Sequence, residues 1–378
     1  MRDEVEQQAR PGSYKSPTER LSSRGEFDFI NHIRRRSNRR ETGVSADSSS
    51  SLSPDPSSLS CGIGDDAAVI KQLTGRDTVI TTDLLVEESD FHRDSTRARL
   101  LGHKALAVSL SDIAAMGAQP RWALLSIGIP QDIWDSDFVD QLYEGFFALA
   151  ERYDVRLIGG DVSRTPEKIV IDSIVLGECR SEHAVARSGA KPGDHLFVTG
   201  LLGGSAAGLR LLERGARLQK LGVRDDDSHS IEQLLLRQLR PEPRVGWGLV
   251  LGQERLASSM IDLSDGLSSD LHHLCQESRV GAMIESAEIP VDPLVAELAG
   301  RRALDPLILA LNGGEDFELL FTVSPENISR LPTKVDGVSI TQIGQIKAAS
   351  EGICVAEGSR VWSLKPGGWD HFKINRRA

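Results

Sequence analysis

The chain is short of several features that commonly announce a function. Its four cysteines, Cys61, Cys179, Cys275 and Cys354, are scattered, with no CxxC among them. That argues against a disulfide framework and a zinc knuckle, and leaves ordinary reduced thiols. No stretch approaches the roughly 20 apolar residues of a membrane span. The opening MRDEVEQQARPGSYKSPTER is polar throughout and lacks the apolar core of a secretory signal. A cytoplasmic protein with no membrane partner is the expectation. Positive charge is also in deficit: 44 Lys and Arg against 55 Asp and Glu give a net charge of −11. A non-specific nucleic-acid binder needs the opposite sign. No nucleophile elbow, Ser/His/Asp order or Gly-x-x-x-x-Gly-Lys-Ser/Thr loop is evident.

What is present fits a soluble globular protein. The chain has 378 residues, 39% hydrophobic and 26% charged. At about 100–200 residues per domain, two domains are expected. Residues 1–24 are polar and broken by Pro and Gly. Residues 34–58 are Arg-rich and then Ser/Pro-rich. Neither segment can bury enough apolar surface to offset its ordering entropy, so both are expected to be disordered. Between them Phe27, Ile30 and Ile33 suit a short docking helix over 25–33.

From residue 60 the pattern becomes α/β. Strands are expected at 77–83, 122–130 and 156–161, the last ending in a Gly-Gly turn, and at 167–178. Helices are expected at 95–117, capped by Ser95 and stopped by Gly117, and at 135–153. The turn-rich RSGAKPGD (187–194) marks a boundary. It divides an N-terminal α/β domain, 59–186, from a C-terminal one, 187–378. The second domain reads as a strand at 194–200, helices near 205–214 and 231–239, a strand–turn–helix over 258–278, and closing strands. This is an α/β fold of two layered domains.

One arrangement recurs along the chain: an apolar run, small residues, then acid. GIGDD carries Asp65 and Asp66, VITTD carries Asp83, and SLSD carries Asp112. LIGGD carries Asp161, MIDLSDG carries Asp262 and Asp265, and NGGED carries Glu315 and Asp316. Strand ends are where α/β proteins gather ligand-binding groups. If several of these acids converge, their repulsion must be relieved by protonation or by a hard cation. Carboxylate oxygens, with hydroxyls such as those of Thr82 and Ser264, suit Mg²⁺, which bridges to phosphates. A pocket holding several Mg²⁺ ions and a polyphosphate suits nucleotide-dependent phosphoryl transfer. Taken singly, each Asp also reads as a helix cap or turn former. TGLLGGSAAG (199–208) could cradle phosphate at a helix N-terminus, but reads more simply as a tight strand-to-helix turn. His272, His273 and Cys275 do not share one helix face, which argues against a metal site there.

In their order, GEFDFI, CGIGDDAAVI, TTDLLVEE, HKALAVSLSDIAAMGAQP, LIGGDVSR, ARSGAKPGD, IDLSDGLSSDL, LNGGEDFELLFTV and GWDHF resemble thiamine-monophosphate kinases. The resemblance spans roughly residues 25–372. It implies ATP- and Mg²⁺-dependent phosphorylation of thiamine monophosphate to thiamine diphosphate, by direct in-line transfer with no essential general base. It also implies a homodimer formed through the N-terminal sheet. By motif match, Asp66, Thr82, Asp83, Asp112, Asp161, Asp262 and Asp265 would hold Mg²⁺, with Thr81 adding its backbone; Asp112 and Asp265 would contribute to catalysis through the metal. Gly160, Asp161, Arg187 and Ser264 would contact ATP. Glu315 and Trp369 would face the thiamine end, the indole offering a flat surface to a cationic ring.

The chain departs from the family at one site motif. Where the family reads close to Val-Glu-Gly-Val-His-Phe, this sequence has VEESDF, so Asp90 stands in the place of His, with His92 two residues on. Either residue could take that substrate contact, or the acceptor differs slightly. Two other readings compete. One is a sister synthetase of the same superfamily, for which a reactive N-terminal Cys–Gly loop and a C-terminal cysteine tail are both missing. The other is a non-catalytic nucleotide sensor, which would not need so many acids.

Overall fold

The computed structural model describes residues 59–72, 75–218, 227–302 and 304–372, together with Asn31. The expected tail, docking helix and Arg/Ser/Pro-rich insert lie, Asn31 aside, outside the described residues. Residues 47–369 form one compact unit, and residues 1–46 with 370–378 form another. Within the smaller unit the Phe372 amide donates to Asp370 Oδ1 at 3.0 Å.

The large unit begins with a six-stranded sheet. Its strands are β1 (Leu59–Cys61), β2 (Ala68–Lys71), β3 (Arg76–Val86), β4 (Gln119–Ile129), β5 (Arg156–Arg164) and β6 (Val170–Arg180). Their order is β1-β2-β3-β6-β4-β5, with only β4 and β5 parallel. Alternation sets the faces. On β4, Ala123, Leu125, Ile127 and Ile129 are buried while Leu124 and Ser126 are only partly so. The inner face is covered by α1 (Ala98–Ala115), with α2 (Gln131–Trp134) and α3 (Phe138–Arg152) beyond it.

Helix α1 is apolar or small nearly all round, as a fully buried helix must be. It starts later than the sequence suggested: Arg97 is at the N-cap position, and the Ser95 hydroxyl instead donates to the His92 carbonyl at 3.1 Å. Helices α1 and α3 approach through facing glycines. A Cβ on Gly102 would stand 1.8 Å from the Leu142 carbonyl oxygen, and one on Gly145 1.8 Å from that of Arg99.

The second half holds α4 (Gly204–Glu213), α5 (Ser228–Leu239), α6 (Val245–Gln253), α7 (Leu267–Ser278), α8 (Pro293–Arg302) and α9 (Pro306–Asn312). Its strands are β7 (His195–Thr199), β8 (Ala257–Asp262), β9 (Gly281–Glu285), β10 (Leu319–Val323), β11 (Lys334–Val335), β12 (Val338–Lys347), β13 (Ile353–Glu357) and β14 (Arg360–Ser363). They form one sheet in the order β14-β13-β9-β12-β7-β10-β8, with β11 on β12. The two halves share a core. Leu110, Ile113 and Phe146 of the first half join Trp247, Met260 and Phe321 of the second in one hydrophobic cluster. Phe321 stacks on Phe197 at 5.6 Å and beneath Trp247 at 6.4 Å. No helix among the described residues is long and apolar enough to cross a membrane.

Candidate active site

Three carboxylates from distant parts of the chain meet on the inner face. Asp66 comes from the turn before β2, Asp112 from α1, and Asp262 from the end of β8. Their oxygens lie within 4.8 Å of one another. Each is held by a short hydroxyl or a cation. Thr81 Oγ1 donates to Asp112 Oδ2 and contacts the Asp66 carbonyl at 3.3 Å. Ser111 Oγ donates to Asp262 Oδ2 at 2.7 Å. Arg187 Nε donates to Asp66 Oδ1 at 3.1 Å, with its Nη2 on the same oxygen. Asp83 lies two residues past Thr81 on the same face of β3 and shares this charge cluster.

The doublet in GIGDD divides its labour. Asp66 turns to the cluster, whereas both oxygens of Asp65 accept the Arg187 backbone amide at 3.1 Å. One acid therefore pins the Arg187 main chain and the other takes its side chain.

Burial and mutual repulsion raise these carboxyls above their ordinary range. Asp262 is pushed up to about 8, first by burial and then by Asp66. Asp83 is pushed up to about 6 by burial, with Asp172 and Asp66 adding to it. Asp112 is raised well above the usual value by burial, Asp83, Asp262 and Asp66. Burial opposes the charge on Arg187, but Asp66, Asp65 and Asp262 hold it protonated. Asp66 Oδ2 and Asp83 Oδ2 of this cluster are buried and have no hydrogen-bond partner among the described residues. Orphaned oxygens of this kind suit a hard cation, and an all-oxygen donor set suits Mg²⁺ over softer metals. Asp66, Asp83, Asp112 and Asp262 therefore fit a magnesium site.

Other residues named from the sequence lie elsewhere. Thr82 sits on the outer face of β3, where its hydroxyl donates to Asp172 Oδ1 at 2.6 Å. Asp161 pairs with Ser126, which pairs with Asp172, so Asp161 is on that outer face too. The Gly-Gly-Asp segment is not a turn: β5 runs through it to Arg164. Gly160 lies so close to β4 that a Cβ would stand 2.0 Å from the Leu125 carbonyl oxygen. Ser264 and Asp265 form the loop after β8, closed by Asp270, whose carboxylate accepts the amides of Asp265 and Gly266 at 3.2 and 3.0 Å. The Trp369 amide donates to the Asp265 carbonyl at 3.1 Å, which seats a 45% exposed indole beside that loop. Asp90 Oδ2 accepts the Val86 amide at 2.7 Å and closes its own turn, while His92 lines a small polar cleft with Glu88 and Lys168.

The glycines of TGLLGGSAAG do not face open space. Asp316 accepts the amides of Gly203 at 2.7 Å and Ser205 at 3.1 Å, which caps α4 from another loop. The adjacent Glu315 is bound by Lys104 Nζ at 2.7 Å and by Gln238 Nε2. Sequence reading missed Lys104, Ser111 and Gln238. Lys104 and Ser111 stand eight residues and one before Asp112 on the same helix but not on its face, and their partners Glu315 and Asp262 are distant in the chain, so no local spacing marked them.

Comparison with known proteins decides the family. Residues 64–179 match the N-terminal domain of AIR synthase related proteins, and residues 191–356 match the C-terminal domain. The thiamine-monophosphate kinase of Escherichia coli K12 is 42% identical over 316 residues, covering 82% of this chain and 91% of that protein. The chain belongs to the thiamine-monophosphate kinase family. The Bacillus subtilis member is 36% identical over 320 residues, covering 84% of this chain and 95% of its own. A solved structure described as AaThiL complexed with AMPPCP and TMP superposes with a TM-score of 0.76 at 31% identity, covering 95% of this chain and 100% of that one. The hydrogenase maturation protein HypE in complex with ATP, at 18% identity and a TM-score of 0.57, shares the fold alone. Membership in the kinase family makes this chain an enzyme of two AIR-synthase-type α/β domains.

Proposed function

We propose that this chain transfers the γ-phosphoryl group of ATP to thiamine monophosphate, forming thiamine diphosphate and ADP. The observation that carries the reading is the meeting of Asp66, Asp112 and Asp262 within 4.8 Å, in a member of this kinase family. A new bond forms between an oxygen of the acceptor phosphate and Pγ. The bond from Pγ to the β-phosphate oxygen breaks, and its electron pair leaves with ADP. The acceptor oxygen is already anionic near neutral pH, so no general base is required.

Asp66, Asp83, Asp112 and Asp262 would hold Mg²⁺, with Asp265 close by in the same loop as Ser264. When bound, Mg²⁺ supplies positive charge against the oxygens of the transferring group. Thr81, Ser109 and Ser111 orient the carboxylates so that little reorganisation remains on binding. Arg187 adds a fixed positive charge beside Asp66, suited to a nucleotide phosphate. Trp369 and Glu315 suit the cationic ring of the acceptor. We assign Thr82 and Asp161 no contact with the inner cluster. Leu84 and Ile158, each 59% exposed on the six-stranded sheet, support a homodimer through that sheet. A need for ATP and Mg²⁺ favours action in the cytoplasm.

A coupled assay for ADP tests the reading. ADP release should depend on both thiamine monophosphate and Mg²⁺, with thiamine diphosphate as the second product. ATP turnover indifferent to the acceptor would overturn it. Tight ATP binding with no turnover would favour the sensor.

A further inference from the structure

Lys104 is among the largest fully buried side chains of the protein, 2% exposed in the core-facing helix α1. Its Nζ has an ion-pair partner in Glu315 Oε1 at 2.7 Å. A buried ammonium is costly unless paired, so Lys104 and Glu315 are bound to each other's placement. The other oxygen of Glu315 is taken by Gln238 Nε2. Gln238 is fixed in turn, its Oε1 accepting the Ser205 hydroxyl at 2.6 Å. The Glu315 backbone is equally constrained. It lies at φ 64°, an uncommon region for a side-chain-bearing residue, and its amide donates to the Ser264 carbonyl at 2.7 Å. Of this chain of groups, Lys104 and Gln238 are buried, while the Glu315 side chain is 28% exposed.

We infer that Lys104 and Gln238 are positioning residues that lock the Glu315 carboxylate in one rotamer, toward the cationic ring of the acceptor. This rests on the reading above that Glu315 faces the acceptor. Both carboxylate oxygens carry an inward donor, so the remaining lone pairs are presented outward as a preorganised anionic surface. Lys104 does not touch substrate. It lies two helical turns from Asp112 on the same helix, which ties the acceptor end of the site to the metal end through one rigid element.

The test compares Lys104→Met, Gln238→Leu, Glu315→Gln and the double variant K104M/E315Q. KM for thiamine monophosphate, KM for ATP and kcat are measured from pH 6 to 9. K104M should raise the acceptor KM about tenfold, in line with loss of a charge-assisted bond, and leave the ATP KM within about twofold. Lys104→Arg should restore most of the loss. K104M/E315Q should be no worse than E315Q alone. If E315Q leaves the acceptor KM unchanged, the assignment of Glu315 to the acceptor fails. If E315Q raises it and K104M does not, the positioning role fails. Should K104M not fold, Q238L reads the same carboxylate from its other oxygen, and an unchanged acceptor KM there overturns the inference.

Discussion

Replacing Asp112 by Asn should make the metal-free protein more stable and remove its activity. The oxygens of Asp66, Asp112 and Asp262 lie within 4.8 Å of one another. At that spacing and an effective dielectric of about 20, a like-charged pair costs about 3 kcal/mol. Arg187 offsets Asp66, so the unbalanced repulsion on Asp112 is close to one pair. Asn keeps the shape, and its carbonyl oxygen can still accept the Thr81 hydroxyl. For a unit of about 320 residues the unfolding entropy is about 0.7 kcal/mol/K, so relief of about 3 kcal/mol raises Tm by about 4 °C. The pH dependence has a definite sign. The carboxyl of Asp112 is raised well above its ordinary 3.8 in the fold. It therefore costs nothing below that value, and the cost grows as pH rises toward the folded-state value. The advantage of D112N should be largest near pH 8 and vanish near pH 4. Calorimetry in EDTA at both pH values measures it, followed by titration with Mg²⁺. The wild type should gain stability from Mg²⁺ at pH 8, and D112N far less. A D112N protein that melts below wild type in EDTA at pH 8, yet responds normally to Mg²⁺, would refute the electrostatic account of this site.

Three further outcomes are expected. Mg²⁺ affinity, read by titration calorimetry, should fall about tenfold per unit as pH drops below 8, because Asp262, held at about 8, must shed its proton to bind the ion; an affinity flat from pH 6 to 8 would remove Asp262 from the metal site. Asp316→Ala should cost about 2 kcal/mol in a denaturant titration, since it strips the acceptor from the Gly203 and Ser205 amides at the start of α4; Asn should cost less, and an unchanged midpoint for Ala would mean the cap contributes nothing. Leu84→Asp, on the exposed sheet face, should shift the species seen by light scattering from dimer to monomer without lowering Tm by more than a few degrees; a wild type that is itself monomeric rules out that interface.

The local elements and the residue types of the site are legible along the chain. Alternation in WALLSIGIP and the apolar run of HKALAVSLSDIAAMG suffice to read a strand and a buried helix, because burial imposes their periods. Ordered motifs sufficed for the family. Tertiary structure decided which acids meet. From the pattern, Asp83, Asp161 and Asp262 ended strands, Asp66 preceded one, and Asp112 lay in a helix. The fold keeps Asp66, Asp112 and Asp262 in those places, but Asp83 and Asp161 lie inside longer strands. Asp66, Asp112 and Asp262 converge because α1 packs between the inner face of the first sheet and the end of β8. Thr82 and Asp161 are excluded because alternation turns their side chains to the other face. Likewise, nothing local in the Gly-Gly-Ser of α4 tells that Asp316, more than a hundred residues on, caps it, or that Lys104 reaches Glu315. Such pairings depend on which faces are pressed together, and that is a property of the packed core rather than of any one segment.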